Sequence, residues 1–441
     1  MRHGGQAPIV MTSAPPPPRQ MLMALFEEAI AAISARHAMP ASFPSLTAPG
    51  RTLVIAIGKA AAEMAAVAGE RVSGPLSGLV ITRAGHGLDA GRLDTGLHYI
   101  EAGHPVPDTA SIGAAEEALQ MARELEPGDH LLMLVSGGGS ALMALPVPGV
   151  TLADKQAITQ ALLRSGAMIS EINCVRKHLS RIKGGRLAVA AAPASVQTLV
   201  ISDVPGDDPS FVASGPTIAD PSSLADAREI LRRYAIDAPP AILRALDDPA
   251  NETPSPDTLG LAGSEVSVIA RARDALGASA RLAESFGYRV TDLGDRLQAE
   301  ARHLGAGHAG LARRLAADGQ PRVILSGGET TVRVVNPKGR GGRNLEYLLG
   351  LTIALAGAPG IHAIACDTDG IDGTEDDAGA IIGPDTLARA EALGLDPQAA
   401  LRNNESYEFF ARLGDLVMTG PTRTNVNDFR AILIAGGERN G

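Results

Sequence analysis

Leu131-Leu132-Met133-Leu134-Val135-Ser136-Gly137-Gly138-Gly139-Ser140 and Val323-Ile324-Leu325-Ser326-Gly327-Gly328-Glu329-Thr330 share one pattern: an apolar run that stops at Ser-Gly-Gly. A buried strand running into small residues that accept positive φ exposes backbone N–H groups at the C-terminal end of a sheet. Anions bind there in α/β proteins. Two such turns point either to two α/β units facing one anionic ligand or to two tight strand–helix turns with no ligand.

The rest of the chain extends that pattern. Thr52–Ile57 is an apolar run ending at Gly58-Lys59, and further strands are read at 78–82, 97–100 and 197–202. Helical stretches at 60–68, 111–125 and 154–165 lie between them. Strands near Val266, Tyr288, Val323, Ile361 and Leu416 and a long helix over 296–317 follow in the second half. Alternating strands and helices predict two α/β/α domains with mainly parallel, Rossmann-like sheets. Pro239, Pro240, Pro249, Pro254 and Pro256 cluster with aspartates and place a boundary there. The expected division is a disordered, Pro-rich N-terminus at 1–18, an N-terminal α/β domain at 19–250 and a C-terminal α/β domain at 251–441. The final apolar run, 431–435, could complete either sheet.

Composition narrows the function. The chain has 441 residues, 45% of them hydrophobic and 20% charged, enough for two cores. A net charge of −10, no Trp and 3% aromatic residues argue against nucleic-acid binding, which needs a basic face or stacking platform. Cys174 and Cys366 are too few for a disulfide framework or a thiolate zinc site and read as buried thiols in a reducing cytoplasm. The apolar stretch at 21–35 carries Glu27 and Glu28, so it is an amphipathic helix rather than a signal peptide. No apolar run is long enough for a membrane span.

Gly305-Ala306-Gly307-His308-Ala309-Gly310 has the letters of a dinucleotide fingerprint but lies in a helical pattern with no strand before it. Leu142 stands where the Ser136 loop would need its third glycine, and no P-loop motif occurs. Lys59, opening a helix after a strand, can hold an anion. Residues 173–186 concentrate positive charge, including Arg176 and Lys177, and read either as a solvated helix face or as compensation for polyphosphate. Asp203 ends a strand, where a carboxylate can act as general base or hold Mg²⁺. Arg340, Arg343 and Asn344 lie in Gly-Arg-Gly-Gly-Arg-Asn, and arginine forks match phosphate oxygens. Asp367, Asp369 and Asp372 crowd one strand end and call for a hard cation or arginines. Ala378 replaces the glutamate that closes a calcium loop. Asn425 and Asn427 could bind ligand hydroxyls or satisfy a turn.

AIGKAA, EAGHPVPD, LVSGGGSALM, NCVRKHLSRIKGGRLA, ISDVPGDDPSFVASGPT, SGGETTV, GRGGRNLE, CDTDGIDGTEDDAG and TGPTRTNVNDF follow one another along nearly the whole chain. In this order they resemble the class II glycerate kinases, whose C-terminal module is called MOFRL and many of which are labelled hydroxypyruvate reductase. The resemblance implies a kinase that uses ATP and Mg²⁺ to phosphorylate D-glycerate at the 2-hydroxyl, giving 2-phosphoglycerate and ADP. It implies Lys59, Asp203 and Arg343 as catalytic positions in an interdomain cleft. Ser136, Gly137, Gly138, Gly139 and Ser140, with Ser326, Gly327, Gly328 and Glu329, would then serve phosphates or the glycerate carboxylate. Asp203, Asp367, Asp369 and Asp372 are the candidate metal ligands. Glycerate and a nucleotide are the expected partners, with no nucleic acid or membrane, and a homodimer is left open. The rival readings are an NAD(P)H-dependent hydroxypyruvate reductase and a non-catalytic sensor of phosphorylated metabolites.

Overall fold

The computed structural model describes residues 15–43, 50–87 and 96–436. Most of the Pro-rich N-terminal stretch therefore lies outside the described residues, although Pro18 already opens a helix. The chain forms two units. The first comprises residues 34–271 with 423–425, and the second the residues up to 33 with 272–422 and those from 426 onward.

The first unit contains β1 (Thr52–Ile57), β2 (Leu76–Arg83), β3 (His98–Ala102), β4 (His130–Val135), β5 (Ser195–Ile201) and β6 (Glu265–Ala270). They form one sheet in the order β3-β2-β1-β4-β5-β6, and every pairing is parallel. This is the doubly wound order whose direction reverses between β1 and β4. Its central strands are buried throughout, as a parallel sheet covered on both faces requires. The helices Leu152–Ser165, Ile169–His178, Leu224–Arg233 and Pro240–Asp247 build a second core around Ile158, Leu162, Val175, Ile230, Ile242 and Leu246.

The proline-rich stretch expected as a boundary lies inside this helical region. Pro240 and Pro249 sit in the first turns of short helices, where proline's missing N–H costs nothing. β6 follows and completes the first sheet, so the unit ends at 271.

The second unit contains β7 (Arg289–Asp292), β8 (Arg322–Gly328), β9 (Ile361–Asp367), β10 (Gly379–Ile382), β11 (Leu416–Val417) and β12 (Asp428–Ile434), in the order β11-β10-β9-β12-β8-β7. Here the expectation of a mainly parallel sheet fails. Only β7–β8 is parallel; β12 lies antiparallel between β8 and β9, and β10 antiparallel to β9. No helix lies between β9 and β10 or between β11 and β12, and a chain without a crossover must return antiparallel.

The helix Pro18–Ile33 also belongs to this unit rather than to the N-terminal domain assigned to it. It buries Met21, Leu22, Leu25, Phe26, Ala29 and Ile33, and packs on the helix Ala272–Ser285 and on β9 and β12. Ser279 Oγ donates to the Leu25 carbonyl at 2.6 Å, and the Phe26 ring meets Phe429. One glycine of the rejected fingerprint, Gly305, serves packing. In the helix Ala301–Ala316, a Cβ on Gly305 would lie 2.2 Å from the Tyr347 carbonyl oxygen, so glycine lets the helix Arg343–Leu355 approach closely.

Candidate active site

In the first unit, three adjacent strands deliver functional groups at their C-terminal ends. Lys59 follows β1, the Ser136–Ser140 loop follows β4 and Asp203 follows β5. β1 and β4 flank the reversal point, where ligands gather in such sheets. Ser136 ties the two strand ends together. Its Oγ accepts from the Ala60 N–H at 3.0 Å and donates to the Ile57 carbonyl at 3.2 Å, while the Lys59 N–H bonds the Gly137 carbonyl at 3.0 Å.

Gly137 sits against the Asp203 carboxylate. A Cβ there would lie 1.8 Å from Asp203 Oδ2 and 2.5 Å from Asn425 Nδ2. Asn425 Nδ2 donates to Asp203 Oδ2 at 3.1 Å, which orients that carboxylate. Gly138 has φ +86°, and its missing Cβ would lie 3.1 Å from the His104 ring and 3.7 Å from Lys59 Cγ. Lys59, His104, Asp203 and Asn425 are thus gathered around one loop. From the sequence alone His104 reads as structural, because an isolated histidine carries no spacing signal. Behind the loop, Ser140 Oγ meets Ser214 Oγ at 2.7 Å. Ala213 and Ser214 both adopt positive φ there, a conformation that costs a residue with a Cβ.

The second cluster surrounds Arg343, the first residue of its helix. Its Nε donates to Asp428 Oδ1 at 3.1 Å, Nη1 to Glu329 Oε1 at 2.6 Å and Nη2 to Asp367 Oδ2 at 2.7 Å. Burial alone would depress the guanidinium's pKa, but Asp428, Asp367 and Glu329 hold it above the ordinary arginine value. Asp428 is the hub of the cluster. It also accepts from Asn344 Nδ2 at 2.9 Å, from the Thr330 N–H at 3.3 Å and from the fully buried Arg430. Arg430 in turn donates to the Gly327 carbonyl and lies over the Tyr347 ring. Asp428 and Arg430 went unassigned in the sequence because they occupy a strand register position, and register is not visible in spacing.

The second Ser-Gly-Gly does not repeat the first. Ser326, Gly327 and Gly328 remain in β8, and the Gly327 N–H is spent on the Gly294 carbonyl at 2.9 Å. The next residues turn to Asp428 and Arg343 instead of starting a helix. Arg340 is committed to Glu375, Glu408 and the Tyr407 ring. Asn344 is wholly buried and bonds Asp372 and Asp428. The Asn427 carbonyl accepts from Thr368.

Charges in 173–186 are largely buried, which rules out the solvated helix face. Lys177 pairs with buried Asp220 at 3.3 Å, and His178 Nε2 lies 2.9 Å from Glu252. Lys177 is therefore a core ion pair.

Of the aspartates proposed for a metal, Asp367, Asp369 and Asp372 are not assembled as one ligand set. Asp367 carries Arg343 and accepts from the Asp369 N–H. Asp372 accepts from the Asn344 and Leu345 N–H groups at 3.1 and 2.9 Å, capping the helix that begins with Arg343. Among the described residues, no group of three or more His, Cys, Asp or Glu side chains could hold a metal ion. Among the described residues, the side chains gather no site that fits a resident magnesium.

Burial pushes the Asp372 carboxyl up to about 6, against the helix N–H groups that favour its charge. Burial, then the neighbouring Asp372, pushes Asp377 up to about 8. Neither Asp377 carboxyl oxygen has a hydrogen-bond partner. Among the described residues, no helix is long and apolar enough to cross a membrane.

Comparison with known proteins adds a lineage to this geometry. Residues 21–247 match the family described as Domain of unknown function (DUF4147), and residues 322–428 match the MOFRL family. A protein of Agrobacterium vitis, provisionally named a hydroxypyruvate reductase, is 50% identical over 422 residues, 94% of each chain. The D-glycerate 2-kinase of Thermotoga maritima is 38% identical over 415 residues, covering 93% of this chain and 97% of its own. The crystal structure of a glycerate kinase from the same organism superposes with a TM-score of 0.84 at 37% identity, over 95% of this chain and 99% of that one. With a DUF4147 module leading into a MOFRL module, the chain belongs to the glycerate 2-kinase family.

Proposed function

We propose that this protein is a glycerate 2-kinase, transferring the γ-phosphoryl group of ATP to the 2-hydroxyl of D-glycerate. The observation that carries the reading is the convergence of Lys59, Asp203 and the Gly137–Gly138 backbone at the ends of β1, β4 and β5. Phosphoryl transfer asks the protein for positioned cations, N–H donors and an oriented hydroxyl, with little covalent chemistry. Asp203, oriented by Asn425, takes the proton of the 2-hydroxyl as its oxygen bonds to the γ-phosphorus. The bond from that phosphorus to the bridging oxygen breaks, and ADP leaves with the electron pair. Lys59 stabilises charge on the transferring group, and the family resemblance gives Arg343 the same role. Magnesium enters as part of the nucleotide substrate. The name and fold of the Thermotoga relatives support the reading.

A nicotinamide-dependent reductase would also suit a doubly wound sheet, but its pyrophosphate needs the glycine fingerprint after β1. The chain has Gly58-Lys59-Ala60-Ala61 there. ³¹P NMR of the purified protein with ATP, Mg²⁺ and D-glycerate tests the assignment. A 2-phosphoglycerate resonance growing with ADP is expected. A 3-phosphoglycerate resonance would overturn the position of attack. Absence of any phosphoester, with NAD(P)H oxidation by hydroxypyruvate, would overturn the kinase.

A further inference from the structure

A cavity of about 290 Å³ in the first unit is lined by Lys155, Arg176 and Lys183 and by the apolar side chains of Val106, Leu152 and Leu163. Lys155 is 7% exposed, and its Nζ has no hydrogen-bond partner. None of the lining residues carries a carboxylate. Burial, then the neighbouring Arg176, depresses the Lys155 ammonium to about 7. Lys183 also lines the cavity, but its Nζ already donates to the Ser140 and Met143 carbonyls at 3.0 Å each, and burial, then Lys155 and Arg176, disfavours its charged form.

This is not how buried lysines in this protein are otherwise handled. Lys177 has Asp220, and Lys183 has its carbonyls. An amine held in an apolar cavity without an acceptor costs stability, and such a cost persists where a ligand supplies the missing partner. An anion would give Lys155 the missing acceptor and favour its charged form beside Arg176. The cavity exceeds a bare inorganic ion and its walls are mostly apolar, so the ligand has an apolar part.

We propose that this cavity is a binding site for a small organic anion, whose carboxylate or phosphate head sits on Lys155 and Arg176 and whose apolar part fills the space beside Val106, Leu152 and Leu163. The site does not depend on the kinase assignment, since none of Lys59, Asp203 and Arg343 lines it. Ser140 belongs both to this lining and to the loop after β4, so an occupant touches that loop.

Calorimetry on the full-length chain, without nucleotide or glycerate, tests the site with butyrate, monobutyl phosphate and inorganic phosphate as probes. One butyrate or monobutyl phosphate should bind per chain, and Lys155→Met should weaken it by about tenfold or more, with Lys155→Arg restoring part of the affinity. The tighter of the two organic probes identifies the head group. Thermal melts give a second readout. Lys155→Met should raise the Tm of the ligand-free protein by removing an unpartnered amine, and the probe should then raise Tm only in the unmutated chain. Failure of both organic probes to bind at millimolar concentration, or equal binding to Lys155→Met, would overturn the proposal. Inorganic phosphate binding as tightly as monobutyl phosphate would overturn the role of the apolar walls.

Discussion

Asp428→Asn isolates the charge that organises the Arg343 cluster. The substitution keeps the side chain's shape, so no cavity confuses the result. Asp428 Oδ1 faces donors from Arg343 and Asn344, and Oδ2 faces donors from Thr330 and Arg430. An amide must turn its NH₂ toward one of these pairs, setting donor against donor, and two guanidinium groups lose a shared counter-charge. The Asp428 side chain is fully buried. Breaking a buried pair of this kind costs about 3–5 kcal/mol. For a unit of this size that lowers Tm by about 6–20 °C, at roughly 2–4 °C per kcal/mol. Arg343 also loses one of three anchors, and a displacement of ~1 Å in a catalytic group costs about 10²-fold in turnover. Calorimetric melts and steady-state kinetics with ATP and D-glycerate read the two effects separately. Because the pair is buried, added salt should not reproduce either effect. A Tm within 2 °C of the parent together with turnover within threefold would refute the argument that Asp428 holds this cluster.

Three further outcomes follow from the same geometry. Arg343→Lys keeps one positive charge among Asp367, Asp428 and Glu329 but cannot span them, so turnover should fall by about 10²-fold or more while the fold survives; near-normal kcat would remove Arg343 from the mechanism. Gly137→Ala drives a methyl group into the Asp203 carboxylate, and should cut kcat by about 10²-fold with far less effect on Tm; unaltered kcat would show that Asp203 is not positioned by this loop. Asp377 has its folded pKa raised from 3.8 to about 8, so its stabilising share is complete below about 4 and is lost as pH rises toward 8. Asp377→Asn should therefore match the parent's stability near pH 4 and exceed it near pH 8.5 by an amount on the order of several kcal/mol, read as a higher Tm; identical pH profiles of Tm would contradict the raised pKa.

Local features were legible in the sequence where backbone chemistry alone decides them. The run Thr52–Ile57 into Gly58-Lys59 and the run into Ser136-Gly137-Gly138 became the central strands of a parallel sheet because continuous apolar strands followed by helices have few other solutions. Pairings set by tertiary register were not legible. The same Ser-Gly-Gly letters after Leu325 stay within a strand because β12 runs alongside them, and β12 lies a hundred residues further on. The apolar stripe of Pro18–Ile33 announced burial without naming the surface that buries it. Prolines at 239–256 looked like a linker because proline marks helix starts and loops alike. Charge in 173–186 was read from composition, whereas partners such as Asp220 and Glu252 decide whether a cation is spent or available.

That distinction between spent and available charge bears on how Arg343, in the proposed reaction, would serve a triphosphate while bonded to three carboxylates. The three are not equivalent. Asp367 and Asp428 are buried, and Asp428 is cross-linked further to Asn344, Thr330 and Arg430. Glu329 leaves 47% of its side chain exposed. An exposed ion pair is worth little, about 0–1 kcal/mol, because water solvates both partners when it opens. A phosphoryl oxygen can therefore take the place of Glu329 at Nη1 at small cost, while Nε and Nη2 stay fixed. The two buried carboxylates set the plane of the guanidinium, and the third keeps its charge from being stranded until a ligand arrives. An arginine held this way is oriented before it is used, and orientation accounts for most of what phosphoryl transfer requires of a protein.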